Sequence, residues 1–305
     1  MQRTIRRGFV LNGTGLHSGR PAQLRVLPGF AGQGVWFKRV DIKAGDNLIA
    51  AAWDNVTDTR LNTTLANQAG AVVSTVEHLM AALAGCGVHN AMIEIDGPEV
   101  PVFDGSALVF VRAILEAGVI EQDEPVNVIK IQKPVRVETG DAWVELRPFA
   151  GIVIDYSIDF VDSAIGAQHL RQNFANGTFV REFCDCRTFC RQAEVDTMRA
   201  NGLALGGSYD NAVVVDGDAV LTPGGFRRTD ECVRHKMLDA LGDLALAGSP
   251  IIGRYCGEKA GHRATNLLLR ELFANPDAWE MIECTVAQWN DLPGAHIKPS
   301  DFVSA

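Results

Sequence analysis

The sequence predicts an α+β fold in two units, and three observations carry that expectation. Short stretches that alternate apolar and polar residues recur along the chain and read as strands. Stretches with helical start and stop signals fall between them. The most polar break between apolar runs, Glu121-Gln122-Asp123-Glu124-Pro125, leaves both kinds of element on each side. The expected units are therefore 1–124 and 125–305. Strands grouped with helices on one face give α+β architecture.

The elements follow in order. Residues 91–95 read as a strand. Ser106 is placed to cap a helix running to about Ala117, where Gly118 supplies the stop. Ile129 and Ile131 alternate with Lys130 and Gln132. Ile152, Ile154, Tyr156, Ile158 and Phe160 alternate with Val153, Asp155, Ser157 and Asp159, as in a strand covered on one face. A helix over 191–201 ends at Gly202, and 212–215 is again a strand. A helix over 231–247 ends at Gly248, 251–255 is a strand, and a helix over 263–274 is closed by Asn275 and Pro276. The two units also rhyme: His78-Leu79-Met80-Ala81-Ala82-Leu83 resembles His235-Lys236-Met237-Leu238-Asp239-Ala240-Leu241, which suggests a duplicated unit.

Composition narrows the function. The chain has 305 residues, 47% of them apolar, enough for a sizeable core. A net charge of −9 and the lack of a basic stripe argue against nucleic acid as a partner. The N-terminus has no apolar signal segment and no 18-residue uncharged apolar run occurs, so a cytoplasmic chain is expected. The seven cysteines are odd in number and irregularly spaced, which disfavours a disulfide framework. Cys184, Cys186 and Cys190 lack the paired C-x₂-C arms of a structural zinc site and read as small buried hydrophobes. No heptads appear, and a monomer is expected. The last residues, 301–305, read either as a tail recognised by a protease or as a frayed end.

Chemistry concentrates in three places. In Val233 to Asp243, His235 and Asp239 stand four residues apart, on one face of a helix and within reach of one ion. Asp243 lies a turn further on. A solvated His–Asp pair is the plain alternative, but Met237, Leu238, Ala240, Leu241 and Leu244 make the helix apolar around much of its circumference. A charged face buried there is costly unless paired or metal-bound. In Ser74-Thr75-Val76-Glu77-His78-Leu79, Ser74 and Glu77 fit a capping box. That explains Glu77 without chemistry but leaves His78, which is a candidate third ligand. Glu77 would then stand beside the metal, free to take a proton from its water. Two His and one Asp leave one position open, the pattern of a catalytic zinc site. Such an ion lowers the pKa of its water to about 7 and polarises a carbonyl. His262 is the candidate proton donor, with Asp243 keeping it protonated, and the alternative is a helix-start histidine without a role. Gly13 to Gly19 is not a P-loop and Leu205-Gly206-Gly207-Ser208 is not a dinucleotide fingerprint. Both are loops that line a site or turn the chain.

Seven motifs in this order, Gly15-Leu16-His17-Ser18-Gly19, Ser74 to Leu79, Pro101-Val102-Phe103-Asp104-Gly105-Ser106, Arg187-Thr188-Phe189, Leu205 to Asp210, Val233 to Asp239 and Gly261-His262, resemble the UDP-3-O-acyl-N-acetylglucosamine deacetylase family across the whole chain. That family acts at the committed step of lipid A synthesis in Gram-negative bacteria. The resemblance implies two similar domains, each a sheet with two layered helices and a small insert, with the active site between them. It implies zinc, or iron(II) on similar ligands, held by His78, His235 and Asp239. It also implies Glu77 as base, His262 oriented by Asp243 as acid, and Thr188 at the oxyanion. Lys236 would face an acylated UDP-sugar substrate, with Lys259 and Phe160 near its nucleotide end. An insert at about 189–220, with Phe189, Gly207 and Ser208, would form an apolar passage for the acyl chain. The substrate's lipid implies transient contact with a membrane surface. Three positions depart from the family pattern: Cys190 where Gly is usual, which bears on passage shape; Ala142 where Lys is common, which removes a nucleotide contact; and Asn62 where Cys is common, near the metal.

Overall fold

The structure, a computed structural model, describes residues 1–301. Of the candidate protease-recognised tail at 301–305, residues 302–305 lie outside the described residues. Seven α-helices occur among the described residues: α1 (Glu77–Gly85), α2 (Leu108–Ala117), α3 (Thr178–Glu182), α4 (Gln192–Ala200), α5 (Glu231–Ala245), α6 (His262–Ala274) and α7 (Val286–Asn290). None is long and apolar enough to cross a membrane.

The fold is α+β and built twice from one plan. The first sheet runs in the order Phe9–Thr14, Pro21–Pro28, Ala91–Ile95, Val35–Arg39, Leu48–Ala50. In the second, Val135–Thr139, Ala142–Arg147, Ile251–Glu258, Ile152–Asp159 and Ala167–Asn173 pair in the same order and senses. In each, a hairpin leads to a central strand that is antiparallel to the hairpin's nearer strand and parallel to its other neighbour. Asn127–Ile131 and Trp279–Glu283 extend the second sheet beyond the shared plan. Each unit also carries a three-stranded insert: Val56–Asp58, Thr64–Ala66 and Val72–Val73 in the first, Phe189–Arg191, Val213–Asp216 and Ala219–Val220 in the second.

Helices bracket each central strand. α1 precedes Ala91–Ile95 and α2 follows it, as α5 precedes Ile251–Glu258 and α6 follows it. The strands earn their places by alternation: Ala22, Leu24 and Val26 are buried along Pro21–Pro28 while their neighbours face out. α1 packs directly on α5, so the two units share one core through Leu79, Met80, Leu83, Leu238 and Leu241. Each such buried side chain contributes roughly 1.5–3 kcal/mol.

Helix ends refine the expectation. α2 begins at Leu108 with Ala107 as its cap. Ser106 still serves the start, because its hydroxyl accepts the Leu108 N–H at 3.2 Å and donates to Asp104. Gly118 ends the helix at φ 78°, a value open to glycine at little cost. The Ser74–Glu77 capping box does not form. Thr75 takes φ 57°, which turns Ser74 away to donate to the Pro98 carbonyl, and α1 starts from Val76. Glu77 is thereby left for other partners.

Candidate active site

The ligand atoms of His78, His235 and Asp239 lie within 4.8 Å of one another, and all three residues are buried. α1 supplies His78 in its first turn, and α5 supplies the other two at i and i+4. The imidazole Nε2 atoms of His235 and His78 stand 3.3 and 3.6 Å from Asp239 Oδ1. The rings meet edge-on at 5.0 Å. His235 Nδ1 donates to the Cys186 carbonyl at 3.0 Å, which fixes the tautomer that turns the Nε2 lone pair toward Asp239. Burial lowers the His235 pKa to about 4 against the opposing pull of Asp239, so its imidazole is neutral and ready to ligate.

A fit to a cation is testable on these atoms. Asp239 Oδ1 is buried without a hydrogen-bond partner, although Oδ2 accepts from Lys236 Nζ at 2.7 Å. Burial would raise this carboxyl, but His235 and Lys236 outweigh it and hold it well below the usual carboxylate range. An ionised, orphaned oxygen facing two imidazole nitrogens matches the donor set of zinc. A solvated surface pair is not what these residues form.

The acid–base candidates lie beside this set. His262, the first residue of α6, meets Asp243 Oδ2 through Nδ1 at 2.8 Å and approaches Glu77 Oε1 through Nε2 at 4.0 Å. Burial opposes its charge, yet Asp243, Glu77 and Asp239 together raise its pKa to about 9. It is therefore an imidazolium at neutral pH. Burial pushes the Glu77 carboxyl up, against the pull of His262 and His78. Glu77 Oε2 accepts the Thr63 N–H at 3.0 Å, which leaves Oε1 turned toward His262. Nothing in the local sequence announces Thr63, since its contacts cross distant parts of the chain.

Close backbone approach holds the helices in place. A Cβ on Gly242 of α5 would lie 2.1 Å from the Glu77 carbonyl oxygen, so only glycine lets α5 come this near to α1.

Thr188 and Phe189 lead away from the site into a cavity of about 750 Å³, walled also by Leu16, Ala193, Val195, Met198, Gly207 and Ser208. The Phe189 ring sits 6.3 Å from the His235 ring and 5.3 Å from Phe160. Thr188 is held by its N–H on the Gly105 carbonyl at 2.7 Å, which docks the Pro101 to Ser106 motif of the first unit onto the second. The two glycine-rich loops join at the cavity wall: Leu205 N–H donates to the His17 carbonyl and Gly206 N–H to that of Leu16. Glu99 secures the first loop by accepting the His17 and Ser18 N–H groups, each at 2.8 Å. Cys190 lies in the cavity wall. Lys259 lies apart from the ligand set, paired with Asp159 at 2.8 Å next to Phe160, and Lys236 is turned inward onto Asp239.

Comparisons with known proteins place the chain in a family. A family model described as "LpxC: UDP-3-O-acyl N-acetylglycosamine deacetylase" matches residues 2–274. A protein of Phenylobacterium zucineum named UDP-3-O-acyl-N-acetylglucosamine deacetylase is 47% identical over 280 residues, 92% of this chain and 96% of its own. Proteins of the same name from Shewanella frigidimarina and Shewanella piezotolerans are 46% identical over 283 residues (92% of each chain) and 43% identical over 306 residues (100% of this chain, 99% of the relative). The chain is an enzyme and belongs to the UDP-3-O-acyl-N-acetylglucosamine deacetylase family.

Proposed function

We propose that this enzyme hydrolyses the N-acetyl group of UDP-3-O-acyl-N-acetylglucosamine with a bound zinc ion, releasing acetate and leaving a free amine for lipid A synthesis. The observation that carries the reading is the orphaned Asp239 Oδ1 facing two imidazoles, with a carboxylate and an imidazolium alongside. His78, His235 and Asp239 would hold the metal, and iron(II) suits the same ligands. When bound, the ion supplies Lewis acidity to a carbonyl oxygen and acidifies water.

The chain's own groups supply the rest. Glu77 Oε1 takes the proton of the attacking water, and its raised affinity for protons suits it to that task at neutral pH. His262 carries a proton at Nε2, held by Asp243 at the opposite nitrogen, and delivers it to the departing amine nitrogen. Thr188 and the His262 cation stabilise the developing oxyanion. Lys236 meets the diphosphate-sugar, while Lys259 and Phe160 lie near the nucleotide. Phe189, Gly207 and Ser208 line the passage for the acyl chain, a role supported by the volume and lining of the cavity beside His235.

Residues 1–124 and 125–305 are proposed as the two domains, with catalysis at their junction, in a monomer that touches the membrane surface only transiently. Seven free cysteines accord with a reducing, cytoplasmic setting. The test is turnover of the acylated UDP-sugar beside its counterpart lacking the acyl chain, with acetate and free amine both measured. The reading expects one acetate per amine and a kcat/KM that falls at least about 100-fold without the acyl chain, since remote binding energy drives catalysis. Equal rates on the two substrates would instead identify an amidohydrolase of another nucleotide-sugar.

A further inference from the structure

Thr63 precedes the strand Thr64–Ala66 of the first insert and is 2% exposed. All three of its polar groups are engaged, and each reaches a different part of the site. Its N–H donates to Glu77 Oε2 at 3.0 Å, its carbonyl accepts the Val76 N–H at the start of α1 at 3.3 Å, and its hydroxyl donates to Asp243 Oδ1 at 2.6 Å. The last distance is at the short end for an O–H···O bond, so the hydroxyl is firmly held. Asp243 in turn accepts from His262 Nδ1 at 2.8 Å through its other oxygen, and His262 Nε2 faces Glu77 Oε1 at 4.0 Å. The four residues form a closed ring: Thr63, Glu77, His262, Asp243.

The ring has a physical consequence. A buried carboxylate can rotate about its last side-chain bond unless both oxygens are held. Asp243 is held by His262 on one side and by Thr63 on the other, so the imidazole plane is fixed relative to α5. Glu77 is held by one oxygen, so its free oxygen is aimed at His262. Both constraints pass through one residue, which belongs to the first unit and reaches across 180 positions to the second.

We infer that Thr63 is a positioning residue for the deacetylation reaction, setting the mutual orientation of Glu77 and His262 through its N–H and hydroxyl. Its polar groups meet Glu77, Val76 and Asp243, none of them a proposed metal ligand. The inference rests on the proposed roles of Glu77 and His262 as base and acid.

The experiment compares the zinc-loaded full chain with Thr63→Val, Thr63→Ser and Glu77→Ala. Valine keeps the shape and the N–H but removes the hydroxyl. Displacing groups that must stay aligned to within about an ångström lowers kcat by roughly 10- to 100-fold with KM nearly constant. Thr63→Ser, which keeps the hydroxyl, is expected to recover at least about a third of wild-type kcat, and all the variants should retain zinc. A low-field proton resonance from His262 Nδ1–H, assigned by its loss in His262→Ala, should shift or broaden in Thr63→Val and return in Thr63→Ser. Wild-type kcat in Thr63→Val, or an equal loss in Thr63→Ser, overturns the inference. If Thr63→Val does not fold, amide exchange at Thr63 decides: it should quicken at least about tenfold in folded Glu77→Ala, and an unchanged rate overturns the inference. Wild-type turnover in Glu77→Ala marks failure of the underlying acid–base reading, which is distinct because the Thr63→Val result then has no base to act through.

Discussion

α1 and α5 hold the same place in the two units, each leading into the central strand of its sheet, yet they divide the site unequally. α5 has 15 residues and presents His235, Asp239 and Asp243 at successive turns of one face. α1 has nine and places Glu77 and His78 side by side in its first turn. The long helix therefore holds: two ligand candidates and the partner of His262 lie along it. The short helix places Glu77, the proposed proton acceptor, next to His78, the third ligand candidate. A duplicated scaffold needs no matching chemistry, because the site forms where the two equivalent helices touch and each can specialise.

The largest effect should come from the short helix. Glu77→Ala is expected to keep its metal and lose turnover by roughly 10²–10⁴-fold, measured by acetate release alongside metal analysis. Full turnover would remove the difference drawn between the helices. Next is the pair that α5 holds. His262→Ala should cost on the order of 10²–10³ in kcat, as for loss of one oxyanion donor. In the wild type, activity should fall at high pH as the His262 imidazolium is lost. In the metal-free protein the sign for stability is the same. The folded-state pKa is raised from 6.5 to about 9, so the contribution is complete below about 6.5 and disappears as pH rises through about 9. Urea unfolding at pH 6.5 and 9.5, with His262→Ala as the reference, reads that window.

A smaller effect should come from the contact itself. Gly242→Ala forces a methyl against the Glu77 carbonyl and should cost about 1–3 kcal/mol, seen as a lower urea midpoint at constant slope. The smallest should lie far from both helices: Lys259→Ala should raise KM by roughly three- to tenfold and leave kcat alone, as for a uniform binding contact.

Much of this was legible in the residues, and the limits have physical causes. Period-2 alternation marks Ile152–Asp159, and Gly118, Gly202 and Gly248 mark helix ends or the turns just past them. His235 and Asp239 are legible as a pair because helical spacing alone puts them on one face. Their link to His78 and His262 is a matter of tertiary packing, and only the order of motifs points to it. The strand Pro21–Pro28 carries a clean alternation, but prolines at both ends weaken it as a strand signal. Ser74 and Glu77 have the spacing of a capping box, and the left-handed turn at Thr75 breaks it. At that turn the Thr75 hydroxyl donates to Glu99, a contact invisible to local patterning. Thr63 is the extreme case: a common residue in a short insert whose partners lie 14 and 180 positions away.

The proposed site has one cation joining α1 and α5. Its most direct test is the metal content of the purified chain and of His78→Ala and His235→Ala after exhaustive dialysis. One zinc or iron per wild-type chain, lost from both variants, is the expected result. Wild-type protein without stoichiometric divalent metal, or His78→Ala binding it as firmly as wild type, would contradict a site shared by α1 and α5.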